Sequence, residues 1–331
     1  MIVRTVLGDV APGTLGWTLG HEHLVARPPA LVEDDDLRLD DEDAAARELA
    51  SFRDAGGGAV VEMTTVDYGR DAAALARLAE RTGVRIVAAT GFNKGRFSDG
   101  IVARYSDETL MAWMEAEVRT GALPWSPPEE VALRVPRPYQ AAPAPTGDAP
   151  VRAGLIKAST GAGGPSEEER RGMTAAIEAH RRTGAPIGTH TEKADWALQQ
   201  ARTLREGGVP GEKALIGHLD FRPELPYLLE VAATGVFLGL DQFSKAKYLS
   251  DEARVRLIAA LASEGRLPQL IVSGDLARRS YWPSYGHVHA PGLTHLPRVV
   301  ASMLRAEGLD EEALRTLFVD NPRRWLAFEP R

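Results

Sequence analysis

Short apolar and β-branched runs alternate along this chain with longer polar segments of helical character. Such alternation is the pattern of repeated βα units around a parallel sheet. Eight runs are predicted as strands: Trp17–Leu24, Ala59–Thr65, Arg85–Gly91, Ala153–Thr160, Ile187–Thr191, Ala214–Asp220, Val236–Gln242 and Gln269–Leu276. Helices are predicted over Asp43–Ala55, Asp71–Arg81, Glu167–Arg182, Ala194–Glu206 and Asp251–Glu264, with glycine stops such as Thr82-Gly83 and Thr183-Gly184. Eight unbroken alternations favour a closed (β/α)8 TIM barrel, an α/β fold, over an open doubly wound sheet, which would usually carry a nucleotide fingerprint after an early strand. Gly161-Ala162-Gly163-Gly164 does follow a strand, but Ser166 and Glu169 read as a capping box on the next helix.

The whole chain, residues 1–331, is read as a single domain with a Pro-rich insertion at about 122–150, since Pro124–Pro150 holds eight of the 22 prolines. The insertion reads as a surface loop; a lid or subunit contact through Trp125 and Tyr139 is the sharper alternative.

Composition narrows the chemistry. With 39 basic against 46 acidic residues and a net charge of −7, no broad footprint for nucleic acid or an anionic membrane is expected, though a local basic pocket is compatible. Cysteine is absent, which removes disulfides, thiolate ligands and a Cys nucleophile, so any metal must use His or carboxylates. No apolar run approaches the roughly 20 residues of a membrane span, and the first residues lack a secretory signal pattern, so a cytoplasmic location is expected. No G-x-S-x-G elbow for a serine hydrolase occurs.

Candidate ligands gather at strand ends. In His21-Glu22-His23 strand alternation sends both imidazoles to one side and Glu22 to the other. His190, His218 and Asp275 end the fifth, sixth and eighth predicted strands, so four of eight histidines and a carboxylate converge on one barrel face, as a divalent metal site requires. Lys157 lies in an apolar strand of a chain with 33 Arg but only six Lys. Arg cannot deprotonate and react as a buried amine can, and beside two cations this lysine would have to be neutral or converted to an anion, as carbamylation does.

In order along the chain, Gly20-His21-Glu22-His23, Ala153 to Lys157, Gly188 to Glu192, Gly217-His218 with Asp220, and Ser273-Gly274-Asp275 resemble the phosphotriesterase family of the amidohydrolase superfamily. The resemblance implies two divalent metal ions, with His21, His23 and Asp275 on one, His190 and His218 on the other, and carbamylated Lys157 and a hydroxide bridging them. Zinc is expected first, with manganese or cobalt suited to the same donors. Attack by that hydroxide, with Asp275 as proton carrier, is the implied catalytic step. A homodimer is the default by base rate and resemblance.

Substrate choice falls to the loops after strands seven and eight. The pattern resembles the sugar-lactone phosphate hydrolases of the family, the phospho-furanose lactonases, in which a Lys after strand seven and an Arg and a Tyr three and six residues beyond the metal Asp grip a phosphate: Arg278 and Tyr281 fit that spacing, and Lys247 is preferred to Lys245. Asn93 and Lys94 follow the third strand and are candidate pocket residues with Lys245; Asn93 stands near a tyrosine of many related lactonases, which argues against long acyl-homoserine lactones. His287-x-His289 reads as pocket wall or surface, and His180 and His295 as structural or solvent-facing. The expected activity is therefore metal-dependent opening of a five-membered lactone of a phosphorylated sugar acid. Rivals are a general lactonase or esterase with promiscuous phosphotriesterase activity, an amide hydrolase, and a sugar-phosphate binding protein without turnover.

Overall fold

A computed structural model of the chain describes residues 1–123 and 150–331. The Pro-rich insertion with Trp125 and Tyr139 lies outside the described residues. A two-stranded hairpin, β1 (Val3–Thr5) and β2 (Gly8–Val10), leads into eight parallel strands that neighbour one another in chain order. These are β3 (Trp17–Glu22), β4 (Gly57–Glu62), β5 (Arg85–Gly91), β6 (Leu155–Thr160), β7 (Ile187–Thr191), β8 (Ala214–Ile216), β9 (Phe237–Leu240) and β10 (Leu270–Val272). Helices surround them, so the expected barrel is found, nearly closed. No helix among the described residues is long and apolar enough to cross a membrane.

The regular ladder stops short of joining β10 to β3, and side-chain chemistry closes that seam. Asp275 N donates to His21 O at 3.0 Å. The buried Glu22 carboxylate reaches across from β3 and accepts from Ser273 Oγ at 2.7 Å and from the backbone N–H groups of Gly274 and Leu276 at 2.8 Å each.

Strand alternation sorts the side chains. Ala59, Val61, Met63, Val87, Ala89, Leu155, Leu215, Phe237 and Ile271 fill the barrel interior, and Val3, Leu15, Trp325, Leu326 and Ala327 pack against them at its base. Lys157 stands two residues beyond Leu155, on the same face of β6, while Ile156 and Ala158 face the helices. On β3 the alternation is interrupted. Leu19 pairs with Val60 and Glu22 with Glu62, so three steps along β3 match two along β4, a β-bulge. Leu19 packs outward, and the extra residue turns His21 into the lumen where plain alternation from Leu19 would send it out.

Several predicted boundaries are corrected. The sixth and eighth strands stop at Ile216 and Val272, short of Asp220 and Leu276, and just beyond them His218 (φ 63°) and Asp275 (φ 47°) bend the chain into the left-handed region. The helix predicted from Ala194 starts at Ala197, because Lys193, Ala194 and Trp196 have φ of 52°, 60° and 59°. The Ser166 capping box is formed as expected.

Beneath the loops, Arg70 donates to both Glu117 carboxylate oxygens at 2.8 and 2.6 Å and to Ala89 O at 2.6 Å, and Glu117 also accepts from Leu123 N at 2.9 Å. Burial pushes the Glu117 carboxyl up, but Arg70 and its other donors outweigh this and leave its pKa below 4.5. Glu117→Ala leaves the Arg70 cation buried without its counter-ion and is expected to cost about 3–5 kcal/mol, read from urea denaturation at pH 7. Because the folded pKa is depressed, the pair stabilises above the ordinary carboxylate value, and the gap between wild type and variant is expected to narrow as pH falls below 4.5.

Candidate metal centre

The C-terminal strand ends open on a cavity of about 290 Å³. His21, His23, Lys157, His190, His218 and Asp275 all line it, so the residues assigned from sequence to metal binding are brought together. His21 and His23 approach Asp275 Oδ1 through Nε2 at 3.7 and 3.3 Å. His23 is oriented from behind by Thr64 Oγ1, 2.8 Å from Nδ1. His218 Nε2 and His190 Nδ1 face each other at 2.8 Å, two imidazole nitrogens turned to one point.

A carboxylate that sequence reasoning missed ties the halves together. Asp241, directly after β9, places Oδ2 3.0 Å from His21 Nδ1 and Oδ1 2.7 Å from His218 Nδ1. It also accepts from the His218 backbone N–H at 3.1 Å. With this carboxylate on the Nδ1 side of both rings, Nε2 of His21 is turned toward Asp275 and Nε2 of His218 toward His190, the orientation that carboxylate support behind a metal-bound histidine gives. The available sequence signal was an acid closing the apolar run Val236–Leu240, as Asp275 closes the next strand.

The donor chemistry fits a divalent ion. Potential ligand atoms of His21, His23 and Asp275 lie within 4.8 Å of one another, as do those of His21, His218 and Asp241. Both ring nitrogens of His21 are buried without a well-formed hydrogen bond, although Asp241 is near. Burial pushes the pKa of His23 down to about 4 and that of His190 to about 3, which keeps both as neutral imidazoles, the ligating form. Burial opposes ionisation of Asp275 and Asp241, yet Lys245 with the histidines holds the first, and His218 with His21 the second, well below the usual carboxylate range. Lys157 is buried, donates from Nζ to Met63 O at 2.9 Å, and has its pKa lowered by that burial against the pull of nearby carboxylates.

The other sequence candidates divide. Lys245 is buried at the centre, with Nζ 2.8 Å from Asp275 Oδ2, 2.6 Å from Asp275 O and 2.8 Å from Gln242 Oε1. Lys247 is exposed outside the cavity lining, its Nζ 5.9 Å from the centre of the Tyr281 ring. Tyr281 and Arg278 line the cavity, and Arg278 is ion-paired with Asp34 and Asp36. Asn93 lines it and donates its backbone N–H to Asp67 at 2.9 Å; Lys94 lines it and pairs with Glu192, which lies 3.4 Å from His190 Nε2. His287 and His289 are exposed and outside both metal-competent groups; His295 pairs with Asp251 at 2.6 Å, and buried His180 bonds Ala185 O at 2.7 Å.

The chain matches the Phosphotriesterase family over residues 1–123 and 145–326. It is 30% identical over 339 residues to a phospho-furanose lactonase of Mycoplasmopsis synoviae (strain 53), spanning 99% of this chain and 92% of that protein. Among solved structures, a lactonase from Listeria monocytogenes superposes with a TM-score of 0.87 at 32% identity, covering 99% of this chain and 100% of that one. The phosphotriesterase homology protein of Escherichia coli, complexed with phosphate in its active site, superposes with a TM-score of 0.83 at 27% identity over 95% of this chain and 99% of that one.

Asp241→Asn removes the anion behind two imidazoles while keeping its shape. A fall of about 10–100-fold in zinc affinity is expected, measured by competition with a chromophoric chelator, with the far-ultraviolet circular dichroism unchanged.

Proposed function

We propose that this chain, which belongs to the phosphotriesterase family and is a metal-dependent hydrolase, opens the five-membered lactone of a phosphorylated sugar acid. One observation carries the choice of substrate: Arg278 and Tyr281, three and six residues beyond Asp275, line the same cavity as the metal-competent histidines. Lys247 stands beside the Tyr281 ring, close enough to swing onto an anion held there. The likeness to a phospho-furanose lactonase, and to a homologue with phosphate in its active site, supports the same reading.

In this reading His21, His23 and Asp275 would hold one divalent ion and His190 and His218 the other, with Lys157, as its carbamate, supplying the further anionic oxygen donors the pair would need. Such a pair supplies Lewis acidity and water made nucleophilic at neutral pH. Zinc is assigned first; manganese and cobalt suit the same nitrogen and oxygen donors. Burial favours the neutral Lys157 amine, the form that would add carbon dioxide and release a proton to give an anionic carbamate. Asp275 is positioned to carry the catalytic proton. Its Oδ2 is fixed by Gln242 Nε2 and Lys245 Nζ at 2.8 Å each and its Oδ1 is turned to the histidines, so the carboxylate is oriented to take a proton from the attacking water and deliver it to the departing ring oxygen. Arg278 and Tyr281 bind the phosphate and orient the ring.

The test compares kcat/KM for a five-carbon sugar γ-lactone with and without its 5-phosphate. A preference of about a hundredfold or more, equivalent to about 2.7 kcal/mol, is expected. Equal rates would move the substrate to unphosphorylated lactones. Arg278→Gln is expected to raise KM for the phosphorylated lactone while metal content, measured by plasma mass spectrometry, stays at the wild-type level.

A further inference from the structure

Arg278 does not hang free at the cavity wall. Asp34 Oδ2 accepts from its Nη1 at 2.8 Å and Asp36 Oδ2 from the same Nη1 at 3.2 Å. Among the described residues no hydrogen bond engages Nε or Nη2 of Arg278. A guanidinium is a rigid planar fork, so pinning one nitrogen fixes the direction of the rest.

Asp36 does more than pair. Its Oδ1 accepts from the Ser280 backbone N–H and its Oδ2 from Ser280 Oγ, both at 2.7 Å, so it sets the backbone between Arg278 and Tyr281. The adjacent arginine is drawn off the other way. Arg279 donates to Arg38 O at 2.5 Å and to Asp40 Oδ1 at 2.6 Å. Asp34 in turn caps the short turn Asp35–Leu37, accepting from Asp36 N at 3.1 Å, and Leu37 itself lines the cavity. The segment 34–40, which follows the first barrel strand, is thus laced to the loop that follows the eighth.

We infer that Asp34 and Asp36 are positioning residues for recognition of the substrate's phosphate: they hold Arg278 by Nη1 and reserve its Nε–Nη2 edge for a bidentate oxyanion. This rests on the phosphorylated-lactone reading above. A guanidinium ordered before substrate arrives loses less rotamer freedom on binding, and the gain falls on phosphate recognition alone. The two carboxylates are 45% and 30% exposed, so solvent and salt screen their repulsion of an incoming phosphate while their short contacts to Nη1 persist.

The experiment uses the metal-loaded full chain with Asp36→Asn, Asp36→Ala and Asp34→Asn, each alone and combined with Arg278→Gln, assayed on a five-carbon γ-lactone with and without its 5-phosphate. Expected is a rise of about tenfold in KM for the phosphorylated lactone in Asp36→Ala, a smaller rise in the two Asn variants, and kcat within about twofold. On the unphosphorylated lactone kcat/KM is expected to stay unchanged. In the Arg278→Gln background the Asp36 effect is expected to vanish, since it acts through that side chain.

A fall in KM for the phosphorylated lactone would overturn the inference, because the carboxylates would then be competitors for Arg278. An equal loss on both substrates would overturn it in favour of a structural role for the segment, as would an Asp36 effect that persists without Arg278. A wild type that discriminates by phosphate while every Asp variant behaves like it would sink this inference alone. A wild type indifferent to phosphate would sink the substrate reading and this inference with it.

Discussion

Closure of the barrel between its first and last strands is the constraint from which the site follows. His21 and His23 come from the start of the chain and Asp275 from near its end, and they meet because the Glu22 carboxylate takes three donors from Ser273, Gly274 and Leu276. Burial pushes the Glu22 pKa up to about 7, against the pull of those donors. A buried carboxylate is costly unless its lone pairs are filled, and here the filling is the seam itself. The same residue that the two histidines flank therefore closes the barrel from outside while they face its lumen. The bulge in β3 makes both possible by turning His21 inward after an outward Leu19.

Strain and charge are concentrated on this rim. His218, Asp275 and Lys193 adopt left-handed backbone that side chains other than glycine rarely take, and all three line the cavity. Such conformations persist where surrounding contacts over-determine them. For Asp275 those contacts are the backbone bond to His21 and the grip of Lys245 and Gln242; for His218 they are the bonds to Asp241. The basic residues are divided in a related way. Of six lysines, Lys94, Lys157, Lys193 and Lys245 line the cavity, whereas ion pairs such as Arg77–Glu42 and Arg305–Glu311 bind neighbouring elements at the surface with arginine. Arginine's fixed fork suits permanent pairs, and lysine's single ammonium suits a crowded polar centre where a group must fit, shift or lose its charge.

Much of this was legible in the sequence because barrel strands are apolar runs with chemistry at their ends. The eight strands and the convergence of His21, His23, His190, His218 and Asp275 follow from that periodicity, and Lys157 stands out as one of only six lysines against 33 arginines. What escaped depends on backbone geometry or on partners far away in sequence. Two strands end early because His218 and Asp275 turn left-handed, which neither residue type announces. Asp241 backs His21 on β3 and His218 just beyond β8, partners that an acid closing an apolar run does not name. The acidic run at Asp34–Asp36 gives no sign of which cation it meets, and its partner Arg278 lies 244 and 242 residues away. Position after the seventh strand does not distinguish Lys245 from Lys247; packing puts Lys245 against Asp275 and Lys247 at the exposed edge of Tyr281.

Seam closure is expected to assemble a centre for two metal ions rather than a core of paired histidines and carboxylates. The most direct measurement is the divalent metal content of the purified, zinc-loaded and desalted chain by inductively coupled plasma mass spectrometry, with Lys157→Ala measured alongside. About two ions per wild-type chain are expected, with clear loss in Lys157→Ala. A wild-type chain that retains no metal, or one whose metal content is indifferent to Lys157→Ala, would contradict it.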